Sequence, residues 1–327
     1  MNWKTVEEHI KKLTVLVIGD VMIDSYLWGK AERISPEAPV PVVNVLRSEQ
    51  RLGGAANVAR NIKALGAQVY LAAVVGQDEH YQTLLRLLDE EKISTKGIVP
   101  SAERPTTIKH RIIAGTQHLL RVDAETDKPL SEQENTALLN TVQALLPEID
   151  VIIFEDYDKG VLNEQNITQI IEWAKSQHIT TCVDPKKRNF WAYRNCSLFK
   201  PNLKELKDGL NQEINPKNIE DVHQAAKTLA QKLNADHVFV TLSEYGALAT
   251  QKDGYVHKEA HKREIADVSG AGDTVISIAA LGLSLGLKPD IWAALANLGG
   301  GLVCEYPGVV PVPATRLWKE AEIYISL

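Results

Sequence analysis

The chain has 327 residues, 44% of them hydrophobic and 24% charged, with a formal net charge of −6. That length can bury a substantial core, as one large domain or two smaller ones, and the acidic balance argues against nucleic acid or an anionic membrane as main partner. No stretch reaches the roughly 20 uninterrupted apolar residues of a membrane span. The opening "MNWKTVEEHIKKLTVLVIGD" mixes acidic and basic residues in a way that does not suit a signal peptide.

In chain order, "LTVLVIGD" (13–20) is a buried parallel strand ending in polar residues. "RISPEAPVPV" (33–42) follows; Pro36, Pro39 and Pro41 forbid helix and hold the chain extended. "GGAANVARNIKALG" carries Ala55, Ala56, Val58, Ala59, Ile62 and Leu65 on one helical face. A strand at 69–75 and a helix at 78–92 come next, then a hairpin over 106–123 around a Gly-containing turn. Ser131 and Glu134 form a capping box before another helix. Strand 150–156, helix 164–177, strand 179–184, helix 217–233, strands 237–242, 246–250 and 255–260, and helices 272–285 and 289–303 complete the alternation. This rhythm predicts an α/β fold, a mainly parallel sheet covered on both faces by helices. The Pro-rich ribbon and the 106–123 hairpin interrupt it and are expected to pair as a small β appendage.

Cys182, Cys196 and Cys304 stand far apart in no metal or redox spacing, which points to a reducing, cytoplasmic setting. The nine histidines form no HExxH or HxH group, so zinc is not expected. In parallel sheets ligands bind beyond the carboxyl ends of the strands. Those ends carry Asp20 and Asp24, Glu155, Asp156 and Asp158, Asp184 with Lys186, Lys187 and Arg188, and Asn202 with Glu205. Any one alone is an ordinary solvated loop charge; their collection on one sheet edge is what draws attention.

The sharpest stretch is "DVSGAGDTVISIAALGLSLG" (267–286). Ser269, Gly270, Ala271 and Gly272 are small and lead directly into an apolar helix, whose N-terminus offers free N–H groups to an anion. Asp273 lies in the first turn. An acid there complements the helix dipole in any protein; beside an anion hole it can also be the base that phosphoryl transfer requires. Gly53 and Gly54 permit close approach of a ligand to the backbone, and Asn57 offers an amide one turn later. GxGxxG, GxxxxGK[ST], HRD and DFG are all missing, which weighs against a dinucleotide enzyme, a P-loop enzyme and a protein kinase.

With "GDVMID", "GGAANVA", "KPNLKEL", "VTLSEYG" and "DVSGAGDT", the chain resembles the ribokinase (PfkB) family of sugar kinases over essentially its whole length. "RISPEAPVPV", "HLLRVD" and "DPK" bring it nearest to the D-glycero-D-manno-heptose 7-phosphate kinases of that family. The resemblance implies a single ribokinase-like domain over 1–327, with a lid from about 28–50 and 105–123. It implies ATP and Mg²⁺ as cofactors, a sugar phosphate as substrate, and phosphorylation of the anomeric hydroxyl in ADP-heptose synthesis for lipopolysaccharide.

Carried over by position, it makes Asp273 the base and Gly270, Ala271 and Gly272 the anion hole. Asp20, Asp24, Gly54 and Asn57 would hold the sugar. Arg33, Lys109, Arg111 and Arg121 are candidates for its phosphate, with Arg33 and Glu37 facing it from the lid. Lys186 would touch the nucleotide phosphates, Asn202 and Glu205 would organise Mg²⁺ and phosphate, Thr241, Ser243 and Gly246 would form the nucleotide loop, and Asn297 would lie near adenine. Two departures stand out: "LGGGLV" after Asn297, whose glycines should weaken the helix by about 0.8–1 kcal/mol each relative to Ala, and "CEYPGVVPV", which lacks a basic residue and Gly-Thr. No HxGH nucleotidyltransferase motif is present, so kinase activity alone is expected. Another sugar kinase of the same fold and an inactive sugar-binding protein are the competing readings. A homodimer is expected because an exposed β lid has edges that a second copy can cover.

Overall fold

The computed structural model describes residues 2–115 and 117–327. The first half contains α1 (Trp3–Ile10), β1 (Thr14–Gly19), β2 (Val21–Ile34), β3 (Pro41–Gly54), α2 (Ala55–Ala64), β4 (Gln68–Gly76), α3 (Tyr81–Glu90), β5 (Ile98–Ser101), β6 (Ile108–Ala114), β7 (Gln117–Ala124) and α4 (Glu132–Leu145). The second half contains β8 (Val151–Glu155), α5 (Glu164–Ser176), β9 (Thr180–Asp184), β10 (Leu198–Phe199), α6 (Leu203–Leu210), α7 (Ile219–Leu233), β11 (His237–Thr241), β12 (Ala247–Gln251), β13 (Gly254–Lys258), α8 (Ala271–Ser284), α9 (Pro289–Val303) and α10 (Ala314–Tyr324). Nine strands form one sheet in the order β13-β12-β11-β10-β9-β8-β1-β4-β5, parallel except for the antiparallel β11-β12-β13 edge. The period-2 geometry of β1 divides the core. Val15 and Val17 pack with α2, α8 and α9, whereas Leu16 and Ile18 pack with α4, α5 and α7 on the other face.

The remaining strands make a second sheet, β3-β2-β6-β7. β2 leaves the main sheet one residue after β1 and runs antiparallel to β3 and parallel to β6. The Pro-rich stretch is the tip of this β2–β3 arm rather than a strand of its own. β2 ends at Ile34, β3 begins at Pro41, and Ser35–Val40 turn the chain, closed by Ser35 N–H donating to the Val40 carbonyl at 2.9 Å. Proline fixes φ and lacks a donor, which suits a turn better than a ladder.

Five elements escaped the sequence reading besides β5: α1, β2 ahead of the Pro-rich stretch, the two-residue β10, α6 and α10. The expectation of a weakened helix at 299–301 is also corrected, because α9 runs unbroken to Val303. A Cβ on Gly299 would lie 2.1 Å from Ile278 Cδ1, and one on Gly300 2.6 Å from Val275 Cγ2. The glycines let α9 lie close against α8, and that packing offsets their poor helix propensity.

Candidate active site

The carboxyl ends of β1, β8 and β9 lie side by side, with Gly19 in register with Glu155 and Glu155 in register with Asp184. The N-terminus of α8 comes up against this edge. Gly270 is its N-cap at φ 79°, a left-handed conformation that favours glycine, and a Cβ there would sit 3.0 Å from Asn57 Nδ2. Asp273 follows one turn on and is buried. Asn57 Nδ2 donates to its Oδ2 at 2.6 Å, and the Tyr157 hydroxyl donates to its Oδ1 at 3.0 Å. Burial pushes the Asp273 carboxyl above the usual carboxylate range; the Asn57 bond opposes this and the Asp184 charge adds to it. A buried carboxylate held from both oxygens has the orientation and raised basicity of a general base.

Gly272 faces the next group. A Cβ on it would be 3.6 Å from both Asp184 Oδ2 and Lys200 Nζ. Lys200 is 2% exposed and pairs with Asp184 at 2.8 Å. Burial lowers the Lys200 pKa, but the Asp184 and Glu205 charges outweigh it and raise it on balance. Asn202 and Glu205 form a reciprocal cap on α6. Asn202 Oδ1 accepts from Glu205 N–H and Glu205 Oε2 accepts from Asn202 N–H, each at 2.8 Å. The other Glu205 oxygen accepts from Lys186 Nζ at 3.0 Å. Both oxygens of Glu205 are therefore engaged by protein donors, an arrangement that leaves it to act on Mg²⁺ through water or phosphate, as the resemblance implies.

On the second sheet, Asp24 is buried and ion-paired with Arg111. Register places Arg51 opposite Asp24, and Arg51 and Arg111 both lie over the Tyr26 ring, at 5.2 and 5.3 Å. Lys109 is bound to Asp123 and Glu125, and Arg121 is an exposed partner of Asp123. Asp20 departs from the expected sugar contact. Its Oδ2 accepts from Tyr157 N–H (2.9 Å) and Lys159 N–H (3.1 Å), and its Oδ1 from Val161 N–H (3.1 Å), so it clamps the loop after β8. Arg33 and Glu37 are corrected too. Arg33 is exposed, nine residues along β2 from Asp24, a separation of about 30 Å at strand rise; Glu37 lies in the turn beyond it. Neither reaches a small molecule bound at Asp24 of the same chain. Gly54 has φ 59°, and a Cβ there would lie 2.3 Å from the Asp20 carbonyl, so this glycine serves the sharp entry into α2.

Towards the other end of the sheet, Thr241 closes β11 and forms an isolated bridge with Asn202. Ser243 and Gly246 both take positive φ in the turn before β12. A Cβ on Gly246 would lie 1.9 Å from the Lys258 carbonyl, so only glycine fits there. Asn297 Nδ2 donates to the Glu259 carbonyl at 2.8 Å, tying α9 to the segment after β13. Sequence reading missed Tyr157, Lys200 and Arg51. The rule that polar residues after strands matter would have found Lys200, had the two-residue β10 been visible.

Residues 12–315 match the family described as pfkB family carbohydrate kinase. The chain is 40% identical over 310 residues to the bifunctional protein HldE of Syntrophotalea carbinolica, covering 94% of this chain and 63% of that protein. It is also 40% identical over 318 residues to the D-beta-D-heptose 7-phosphate kinase of Bordetella bronchiseptica, covering 96% and 98%. It thus spans a little under two thirds of the bifunctional relative and nearly all of the Bordetella protein. Among solved structures, phosphofructokinase-2 from Escherichia coli in complex with potassium aligns with TM-score 0.78 at 21% identity, over 96% of this chain and 99% of that one. Ribokinase from Thermotoga maritima aligns with TM-score 0.70 at 19% identity, over 94% and 98%. These two likenesses concern the fold, which is ribokinase-like. From the family match over most of its length and the 40% identity to a full-length relative, the chain belongs to the pfkB family of carbohydrate kinases.

Proposed function

We propose that the protein transfers the γ-phosphoryl group of ATP to the anomeric hydroxyl of D-glycero-D-manno-heptose 7-phosphate, giving the 1,7-bisphosphate on the route to ADP-heptose. The observation that carries this is Asp273, buried at the N-terminus of α8 and oriented by Asn57 and Tyr157. The choice of sugar is supported by the similarity to the Bordetella heptose kinase. In this reading Asp273 takes the proton of the C1 hydroxyl while that oxygen bonds to phosphorus and the bond to ADP breaks. N–H groups at Gly270, Ala271 and Gly272 hold the phosphoryl oxygens. Lys186 and the Thr241–Gly246 turn take the nucleotide, with Asn297 near its base. Mg²⁺, when bound, offsets charge on the phosphate oxygens.

Asn57 Oδ1 is buried with no donor among the described residues, an acceptor that a sugar hydroxyl would satisfy. The second sheet is the lid, with Asp24 near its base and Arg111 and Arg51 facing the sugar's own phosphate. Its closure excludes water and so limits loss of ATP to hydrolysis. A coupled ADP-release assay across phosphorylated and unphosphorylated sugars tests the proposal. Turnover of heptose 7-phosphate well above fructose 6-phosphate is expected; the reverse order would assign a different sugar to the same site.

Arg111→Met should raise KM for the sugar phosphate by about 10–100-fold, the worth of one charged hydrogen bond, and leave KM for ATP unchanged. Equal losses for both substrates would remove Arg111 from the phosphate site. A homodimer in the cytoplasm belongs to the same reading. Leu46, Leu120 and Val122 are exposed on the second sheet, and Leu120 and Val122 flank Arg121 in β7, so they point to the face away from Arg111. Light scattering at micromolar concentration should give twice the chain mass; a monomer rejects this part.

A further inference from the structure

We propose that Asp20 is a positioning residue for the base Asp273, acting through the loop that presents Tyr157. Asp20 is buried, and the N–H groups of Tyr157, Lys159 and Val161 converge on its two oxygens at 2.9, 3.1 and 3.1 Å. The first residue so held is the one whose hydroxyl donates to Asp273 Oδ1 at 3.0 Å. The Tyr157 ring is fixed on a further side by Lys186, whose Nζ lies 5.2 Å from its centre.

The loop would not keep this shape unaided. Asp158 and Gly160 have φ of 55° and 86°, both left-handed, and a Cβ on Gly160 would lie 2.0 Å from the Lys128 carbonyl. Such conformations persist only where the surroundings dictate them. Asp156 secures the middle of the loop by accepting from Asp158 N–H at 2.8 Å, and is itself held by Tyr193 and Asn189. Without Asp20, the N–H groups of residues 157, 159 and 161 lose the acceptor they share. Burial and the Asp156 charge push the Asp20 carboxyl itself up to about 6. A proton on Oδ1 would still leave Oδ2 to accept from Tyr157 and Lys159.

A carboxylate that accepts a hydrogen bond is favoured over its protonated form, so the Tyr157 bond holds the proton affinity of Asp273 down against burial. Loss of the clamp frees the loop, weakens that bond, and raises the pH at which the base loses its proton. The ionisable groups facing Asp273 are Glu155 from β8, Asp184 from β9, Lys200 after β10 and Tyr157, while Asn57 from α2 is neutral. None of these changes in an Asp20 variant. The direct effect of removing the Asp20 charge has the opposite sign, because a nearby negative charge raises a carboxyl pKa. An upward movement therefore reports the clamp and not the field.

The test is the titration of the Asp273 carboxyl in the full chain, isotope-labelled at its aspartate carboxyl carbons, followed by NMR and assigned by its absence in Asp273→Asn. Tyr157→Phe should raise the midpoint by about 1–2 pH units, the worth of one hydrogen bond to a charged group. Asp20→Ala should raise it too, and the double variant should raise it no further than Tyr157→Phe alone. Asp20→Asn keeps an oxygen for Tyr157 and Lys159 and should move it little. In steady-state kinetics Asp20→Ala should lower kcat about 10–100-fold, as a misplaced reacting group does, with KM for ATP unchanged. Should thermal melts show Asp20→Ala unfolded, Asp20→Ser serves the same comparison. A midpoint that Asp20→Ala leaves unmoved or lowers, or a double variant whose shift is the sum of the single ones, overturns the proposal. The purpose of the clamp rests on the proposed kinase reading, but the titration needs neither sugar nor nucleotide, so the ADP-release assay stands or falls on its own.

Discussion

Asp273→Asn is expected to lower kcat by about 10²–10⁴-fold, the usual contribution of a positioned general base, with the sugar phosphate still bound. The amide keeps the volume and can still accept from Asn57, and Tyr157 can turn its hydroxyl to accept from the new N–H. What is lost is the ability to take a proton. The pH profile gives a second reading of the same change. Because burial raises the Asp273 pKa, the base is protonated, and kcat/KM falls, at a pH above the ordinary aspartate value of about 3.9. That acid limb should vanish with the variant. Steady-state kinetics with calorimetric sugar binding decide the matter: a near-normal kcat would take Asp273 out of the mechanism.

The largest effect on stability should come from Lys200→Met. Lys200 and Asp184 are both buried and joined at 2.8 Å. Removing one partner of such a pair typically destabilises by about 3–5 kcal/mol, because the other charge is left uncompensated. Here the stranded carboxylate also adjoins Glu155 and Asp273, which sharpens the penalty. The double variant Asp184→Asn with Lys200→Met should regain much of the loss, since it leaves no orphaned charge at the pair. Urea unfolding in the presence of a chelator, which keeps any bound cation out of the comparison, measures both. A Lys200→Met midpoint equal to that of the parent would show that the ion pair contributes nothing net.

Much of this site was legible because it is local. The small run before Asp273 and the apolar helix after it are contiguous in sequence, and each acidic residue that closes β1, β8 or β9 directly follows or ends its own apolar run. What could not be read is what register and length decide. Nothing local says that Glu155 and Asp184 stand side by side; that follows from β8 pairing with β9. Lys200 was hidden because Leu198–Phe199 is too short to show a strand period. Asp20 looked like Asp24, yet the backbone of residues 157–161, far along the chain, holds both of its oxygens. Arg33 failed on reach alone, since the motif that carries it is continuous with the site in sequence but lies at the far end of a 14-residue strand.

The position of β1 has a bearing on synthesis. Of the strands of this sheet it is made first, yet it lies inside the sheet, between β4 and β8. β4 and β5 can join it early, but its other edge has no partner until Val151–Glu155 has been made. Over that interval the nascent chain carries an open apolar strand edge of the kind that invites misassembly, and parallel pairing across so long a loop is slow to close. The half of the chain that supplies Glu155, Asp184, Lys200 and Asp273 is thus also the half that seals the fold.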